Sequence, residues 1–178
     1  MGHLLAAQDA CELMNLDRLY FIPAARNPLK SQAPLAPAED RLAMLELVTA
    51  NNPRFGLLDI EIGSGGTSYT VDTVKTLREN FAGHRLFWVI GTDQVAGLPR
   101  WRQIADLVSM VEFICIERPG YVLPASLGIS GLRLFPITGH LKDADSSGIR
   151  ERLGKGLPVD LLLSPEVSSY ISKKKLYK

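Results

Sequence analysis

The sequence has 178 residues, of which 46% are hydrophobic, and is long enough for one domain with a sizeable buried core. Its 20 lysine and arginine residues against 19 acidic residues leave a formal net charge of +1, so no overall field favours nucleic acid or a membrane surface. The N-terminus lacks a basic region followed by a long apolar run, and no apolar run approaches the roughly 20 residues that cross a bilayer. We therefore predict a cytoplasmic protein with neither nucleic acid nor a membrane as its partner.

The two cysteines, Cys11 and Cys115, are far apart in the sequence and lie in apolar surroundings. They form no CxxC or Cys/His spacing of the kind that binds metals. We interpret them as buried thiols in a reducing compartment.

The first third of the chain alternates between helical and strand-like patterns. Gly2-His3 opens directly into a predicted helix over 3–15, and the apolar run 18–24, ended by proline, predicts a buried strand. The proline-rich segment 27–40 is typical of a surface loop. A helix follows over 38–52 and a strand over 55–62.

The middle of the chain repeats this alternation. After the turn "GSGGTS", the spacing predicts a helix over 69–83 that Gly83 closes. Residues 85–91, "RLFWVIG", form the most strand-like run in the chain. A loop over 92–101 and a short helix over 101–110 are predicted next.

The last third contains two more strands and two more helices. The strands are predicted over 111–120 and 132–137, and the helices over 146–156 and 164–177. Since strand and helix alternate without a linker or a repeat, we predict an α/β protein with one doubly wound parallel sheet, in a single domain over 1–178. Ligands of such sheets bind beyond the carboxyl ends of the strands, so the loops after residues 23, 91 and 117 are the candidate site.

Six short motifs fall in or beside these loops or at helix starts. In chain order they are "GH" at 2–3, "FIPAARNPLK" at 21–30, "TSYTVDT" at 67–73, "GTDQ" at 91–94 followed by Trp101, "ERPGY" at 117–121 and "SSGIRERL" at 146–153. Together, and in this order, they resemble the bacterial nicotinate-nucleotide adenylyltransferases of the HxGH nucleotidyltransferase superfamily. The resemblance covers essentially the whole chain, and the closing "LLSPEVSSYISKKKLY" is similar to that family's C-terminus.

The resemblance implies a Rossmann-like fold and a reaction of ATP with nicotinate mononucleotide. The products are deamido-NAD, the dinucleotide precursor of NAD, and pyrophosphate. ATP and the mononucleotide are then the partners, Mg²⁺ comes with ATP, and self-association into a homo-oligomer is left open. The attacking phosphate is already an anion, so the reaction requires alignment and N–H donors around the phosphates rather than a strong base.

The predicted phosphate ligands lie at helix starts, where N–H groups and the helix dipole favour anions. By resemblance His3 is the second histidine of HxGH and, with Arg150, a catalytic residue; as a solvated terminal histidine it would have no such role. Ser146 and Ser147 offer further donors to ATP and also suit an ordinary capped helix. Ala144 and Asp145 depart from the family's form of this loop.

The remaining predicted ligands lie in the strand-end loops. Asp93 would accept hydrogen bonds from the adenosine ribose, or merely cap a turn, and Gly91 would let the backbone approach the nucleotide. Trp101 would stack on the nicotinate ring, or serve as a packing tryptophan. The backbone at Tyr69 and Thr70 would supply donors to the nicotinate carboxylate.

Two cations complete the predicted substrate-binding set. Lys30 keeps the family's loop lysine, although Leu29 stands where a histidine is usual, and a solubilising role is equally open. Arg118, at the end of a strand, lines the site or forms an ion pair.

Two other functions compete with the adenylyltransferase. One is a sister nucleotidyltransferase acting on another phosphate such as phosphopantetheine, which "SYT" and Trp101 disfavour. The other is an inactive nucleotide-binding fragment, which Leu29 and the start of the sequence favour.

The start of the sequence departs from the family, whose chain begins with a strand and a glycine-rich turn before the Gly-His. We therefore expect that the first, central strand of the sheet is missing from this sequence. Its absence would leave two neighbouring strands with unpaired N–H and C=O groups, and we expect the chain as written to be marginally stable and nearly inactive.

Overall fold

Helices alternate with parallel strands along the chain, which confirms the predicted α/β class. The computed structural model describes residues 2–26, 28, 35–139, 146–157, 159 and 162–177. The chain divides into two units. The first unit comprises Met1–Thr67 and His140–Lys178, and the second unit comprises Ser68–Gly139.

The elements follow the predicted order closely. The chain begins with α1 (Gly2–Leu13), β1 (Leu19–Phe21), α2 (Ala38–Thr49), β2 (Phe55–Leu57), α3 (Ile60–Ser64), α4 (Thr70–Asn80) and β3 (Phe87–Gly91). It continues with α5 (Thr92–Val95), α6 (Ile104–Met110), β4 (Glu112–Ile116), β5 (Leu134–Ile137), α7 (Ser146–Gly154) and α8 (Pro165–Lys174).

The first unit contains a two-stranded parallel sheet. Leu19 of β1 pairs with Phe55 of β2, and the ring of Phe21 meets that of Phe55 edge to face, with 5.5 Å between centroids. The hydrogen bond from Leu58 N to Phe21 O, 3.0 Å long, ends the ladder. The segment "FIPAAR" thus starts at the last residue of β1 and continues into the loop that follows this strand.

Helix α2 is fastened to the C-terminal helix α8 by a buried carboxylate. Asp40, 5% exposed, accepts a hydrogen bond from the Tyr170 hydroxyl at 2.7 Å, and Lys174 Nζ lies 3.5 Å from the same oxygen. A buried carboxylate needs such partners, because an unpaired one would be costly to desolvate. The pair therefore fixes α8 against α2 within the first unit.

The second unit is built on a three-stranded parallel sheet in the order β3-β4-β5. All five residues of β4 are buried, as expected of a central parallel strand covered on both faces. Phe113 and Ile114, both fully buried, each contribute about 1.5–3 kcal/mol by leaving water. The core joins these strands to α4, α5 and α6 through Val71, Val74, Ile90, Val95, Leu98, Leu107, Val111, Phe113 and Cys115.

Both cysteines are free thiols and buried, as predicted. Burial raises the pKa of the Cys11 thiol above its usual value. Cys115 lies at the fourth position of β4 and belongs to the core of the second unit.

Two predicted elements are wrong. The strand expected over 55–62 ends at Leu57, because the chain turns at Asp59, whose carbonyl accepts from Gly63 N at 2.8 Å and starts α3. The loop expected over 92–101 instead coils into α5 and a 3₁₀ turn at Leu98–Arg100. These short turns bury Val95 and Leu98, which an extended loop would have left in water.

The single predicted sheet is present as two separate parallel sheets. Within the described residues, β1 has β2 as its strand neighbour and β3 has β4, so each has a second edge without a strand partner. The missing central strand and the single domain over 1–178 stay predictions. Among the described helices, none combines the length and the apolar character that a membrane crossing requires.

Candidate active site

The carboxyl end of β3 carries a glycine and an aspartate in close contact. Gly91 has extended backbone angles, φ −87° and ψ 159°, so its conformation does not demand glycine. Space does: a Cβ at this position would collide with Asp93 Oδ1 and lie 3.0 Å from Arg118 Nε. The glycine therefore makes room for the carboxylate and the guanidinium beside it.

Asp93 Oδ1 is a buried acceptor, and no described residue donates a hydrogen bond to it. Its ion-pair partner is Arg118 Nε, 3.4 Å away, with an arginine side chain that is 47% exposed. A buried polar atom without a hydrogen bond costs about 1–3 kcal/mol. Such an atom at the carboxyl end of a parallel strand is suited to accept a hydrogen bond from a ligand.

Arg118 is held across the two strand ends by its backbone as well as by its charge. Its N–H donates to Thr92 Oγ1 at 2.8 Å, and Thr92 is only 4% exposed. The hydrogen bond ties the loop after β4 to the start of α5. Gly91, Asp93 and Arg118, predicted from separate motifs, are thus brought together.

Two carboxylates act on the buried Cys115 thiol at the same edge of the sheet. Burial and, to a smaller extent, the carboxylates of Glu117 and Asp93 together raise the pKa of the Cys115 thiol to about 11. Glu117 accepts a hydrogen bond from the Thr138 hydroxyl at 2.6 Å. Cys115 therefore stays a neutral thiol and has no nucleophilic character at neutral pH.

The predicted aromatic residues lie on the core of the second unit. Trp101 is half-buried and meets Phe113 edge to face, with 6.2 Å between ring centroids. Tyr69, also half-buried, lies under the Arg102 guanidinium at 4.6 Å. Both rings keep part of their surface exposed, which leaves room for a further stacking partner.

Helix α4 begins at Thr70 without a side-chain cap. Tyr69 occupies the N-cap position and makes no capping hydrogen bond. The first N–H groups of a helix have no partner inside the helix, so this end retains donors for an anionic group.

The phosphate-binding candidates belong to the first unit. His3 is exposed in the first turn of α1, and Arg150 is half-buried in α7. Burial raises the pKa of the Tyr177 phenol, and the charges of Arg150 and Arg41 partly offset this effect. Arg150 therefore lies within electrostatic reach of the C-terminal tail.

The side chains of three predicted ligands lie outside the part of the chain that the structure describes. Ser146 and Ser147 form the start of α7, but their side chains lie outside the described residues, as does Lys30. The described residues contain no cluster of three or more histidine, cysteine, aspartate or glutamate side chains that could hold a metal ion.

Sequence reasoning missed three residues that support these candidates. Thr92 anchors Arg118, Arg102 covers Tyr69 and pairs with Asp72 at 3.5 Å, and Arg41 Nη1 donates to Ala24 O in the loop after β1. Only Thr92 carried a signal, since a threonine after an apolar strand run has a hydroxyl at the sheet edge.

The sequence is similar to that of known proteins along most of its length. Residues 1–152 match the family model described as cytidylyltransferase-like. A protein of Opitutus terrae named "Probable nicotinate-nucleotide adenylyltransferase" is 42% identical over 177 residues, which cover 99% of this chain and 91% of that protein. A protein of the same name from Corynebacterium kroppenstedtii is 37% identical, over 99% of this chain and 84% of the relative.

A solved structure supports the fold independently. The nicotinic acid mononucleotide adenylyltransferase of Plasmodium falciparum, complexed with APC, superposes with a TM-score of 0.77 at 21% identity. The match covers 99% of this chain and 90% of that one.

Proposed function

The chain belongs to the nicotinate-nucleotide adenylyltransferase family, and we propose that it transfers the adenylyl group of ATP to nicotinate mononucleotide. The observation that carries this proposal is the 42% identity to a relative of that name over 99% of the chain. The products are deamido-NAD and pyrophosphate. The reaction would be a step in the biosynthesis of NAD and would take place in the cytoplasm.

The reaction forms one bond and breaks one. A phosphate oxygen of the mononucleotide attacks the α-phosphorus of ATP, and the bond between that phosphorus and the oxygen bridging to the β-phosphate breaks. The electron pair leaves with pyrophosphate, so no proton has to be removed from the nucleophile. The protein contributes alignment and charge stabilisation, the two effects on which phosphoryl transfer mainly depends.

His3 and Arg150 would stabilise the charge that develops on the phosphates. A histidine in the first turn of α1 adds a ring N–H donor to an end that already favours anions. Arg150 offers a guanidinium that can bind phosphate oxygens in pairs. The N–H groups of Ser146 and Ser147, at the start of α7, would add donors of the same kind.

Asp93 would accept hydrogen bonds from the ribose hydroxyls of ATP. The support is the unsatisfied Oδ1, the side chain of Asp93, which is 25% exposed, and the glycine that makes room for this carboxylate at the end of β3. Arg118, paired with this carboxylate, is half exposed and would contact the substrate phosphates from the same edge.

Recognition of the nicotinate would fall to the second unit. The uncapped start of α4 at Tyr69 and Thr70 provides N–H donors for the ring carboxylate, and the exposed part of Trp101 provides a stacking surface. The positively charged side chain of Lys30 would contact the mononucleotide phosphate.

Mg²⁺ would enter with ATP. A metal bound mainly through substrate phosphates fits a chain whose described residues contain no cluster of metal ligands, because Mg²⁺ keeps several waters and needs few protein groups. When bound it neutralises charge on the triphosphate.

The experiment is a pyrophosphate-release assay with ATP and one of three acceptors: nicotinate mononucleotide, its amide analogue or phosphopantetheine. We expect release with the nicotinate acceptor at a kcat/KM at least tenfold above the amide. Release only with phosphopantetheine would identify a sister transferase. Binding of ATP without release from any acceptor would identify an inactive nucleotide-binding protein.

A further inference from the structure

The opposite end of the sheet in the second unit contains a polar cleft that the proposed reaction does not use. Its volume is about 330 Å³, and it lies where β3, β4 and β5 begin. Three arginines line it, Arg78 from α4, Arg85 before β3 and Arg133 before β5. Gly91 ends β3 and Asp93 follows it, so both belong to the other edge of the same sheet.

The cleft carries more positive than negative charge. Among the described residues that line it, the one acidic side chain is Glu112, which is 8% exposed and accepts from Arg85 Nε at 2.9 Å and from Arg85 Nη2 at 2.7 Å. Arg133 Nη1 reaches the same carboxylate at 3.5 Å. One carboxylate therefore neutralises one of three guanidinium groups. The carboxyl ends of α4 and α6 add about half a negative charge each, which still leaves a surplus of about one positive charge.

Two of the arginines, Arg85 and Arg78, are also held by hydrogen bonds and keep further N–H donors. The Arg85 guanidinium stacks over Phe87 at 4.7 Å and over Phe135 at 5.8 Å while it pairs with Glu112. Arg78 Nη1 donates to His84 O at 3.0 Å. A guanidinium has five N–H groups, and among the described residues these contacts use two of Arg85 and one of Arg78. The side chains of Arg85 and Arg133 are 61% and 68% exposed, so their outer donors are open to a ligand.

We propose that this cleft binds an oxyanion group, a phosphate or a carboxylate, on a small molecule. Guanidinium groups match the paired oxygens of such a group, and Arg85 and Arg78, which already make hydrogen bonds, lose little rotamer freedom on binding it. The volume is at the lower end of the range for small-molecule sites. The site is separate from the proposed adenylyl transfer and does not depend on it.

The test is a titration of the ¹⁵N-labelled full chain with inorganic phosphate and, separately, with acetate at constant ionic strength. We expect saturable shifts of the backbone amides of Gly83, His84 and Ser109, which line the cleft. Because the readout is local, binding of phosphate at the ATP site cannot imitate it. Saturation with phosphate alone, with acetate alone or with both supports the site and identifies the oxyanion.

Matched variants separate a built site from general surface charge. Arg133→Gln and Arg78→Gln should each raise the dissociation constant at least fivefold, because each removes a charge-assisted hydrogen bond. Arg18→Gln removes an exposed arginine of the first unit and should leave it unchanged. Amides that do not shift, shifts that stay linear, or an equal loss in Arg18→Gln would overturn the proposal.

Discussion

Among the candidate residues, Asp93 has the local environment that most clearly favours the binding of a ligand. Its Oδ1 is buried, accepts no hydrogen bond from the described residues, and contacts an arginine that is half exposed. Folded proteins seldom leave such an atom unsatisfied, and the exceptions concentrate at functional sites. The conformation of Asp93 is therefore better explained by the nucleotide it would bind than by the stability of the free protein.

We predict that Asp93→Asn weakens ATP use and not folding. Losing a hydrogen bond to a charged acceptor should raise the KM for ATP about tenfold to a hundredfold, while the free energy of unfolding stays level or rises slightly. Steady-state kinetics and a urea melt measure the two quantities. The control is Asp106→Asn, an exposed aspartate whose partner is Gln103, and it should change neither. A KM within threefold of the wild-type value would contradict the assignment.

The position of this group at one edge of the sheet could be predicted from the sequence, but its contacts could not, and its role in binding a nucleotide stays a prediction. Gly91 ends β3, and Asp93 and Arg118 follow β3 and β4. The carboxyl ends of neighbouring parallel strands meet at one edge, so the proximity of these residues could be foreseen. That Arg118 would donate to Thr92 and that Arg102 would cover Tyr69 could not. Such contacts depend on turn geometry, which short-range patterns do not determine.

Cys115 offers a pH-dependent test of burial at the same edge. Its pKa rises from 9.0 to about 11, chiefly because burial disfavours the thiolate. The folded protein thus retains a proton that the unfolded chain releases, and stability falls as the pH rises from about 9 to about 11. We predict that this loss approaches about 3 kcal/mol at the upper end. In Cys115→Ala the decline in unfolding free energy over this range should be smaller, as urea melts would measure. A decline in Cys115→Ala equal to that of the wild type would attribute it to other groups.

At the scale of elements, the three strands of the second unit are joined at their amino ends by one carboxylate. Glu112 begins β4, and its partners Arg85 and Arg133 precede β3 and β5. The hydrogen bonds from Arg85 are the main reason that the pKa of Glu112 lies below its usual range, and the charges of Arg133 and Arg85 lower it further. The ion pairs therefore stabilise the register of the sheet only while the carboxylate is ionised.

We predict that Glu112→Gln destabilises the protein by about 1–2 kcal/mol at neutral pH, less than a fully buried pair would, because both arginines are exposed. A group with a depressed pKa stabilises the fold above its unfolded-state pKa. Its contribution is lost as the pH falls through the lower folded-state value. The difference from wild type should therefore shrink below about pH 4 in urea melts. Glu151→Gln, which breaks an exposed pair with Lys155, should cost less than about 0.5 kcal/mol at any pH.

The helices and strands themselves were largely foreseeable. Helices α2, α4 and α8 and strands β3 and β4 fall within their predicted ranges, and α1 begins one residue before its range, at Gly2. Residues typical of helix starts and ends mark the helices, and continuous apolar runs mark the strands. Helices α3 and α5 were missed, since helices of five and four residues are too short to show a period. The separation of the strands into two sheets was not predicted either, because periodicity does not show which strands pair.

At the scale of the whole molecule, the family match spans both units. The cytidylyltransferase-like model covers residues 1–152, and the relatives match 99% of the chain. The proposed ATP ligands are likewise distributed, His3 and Arg150 in the first unit and Asp93 in the second. The effect of ATP on stability is therefore to be measured on the full chain, over which the family match extends.

We predict that ATP raises the melting temperature by an amount set by mass action. A ligand that binds only the folded state at a hundred times its dissociation constant adds about 2.7 kcal/mol to the free energy of unfolding. For a chain of 178 residues this corresponds to a shift of about 5–11 °C, to be measured by scanning calorimetry. Asp93→Asn at the same ATP concentration should shift by several degrees less, because its dissociation constant is higher. CTP at the same concentration serves as the control for unspecific binding of triphosphate. Equal shifts with ATP and CTP would mean that the phosphates alone are recognised, and no shift with ATP would contradict the proposed function.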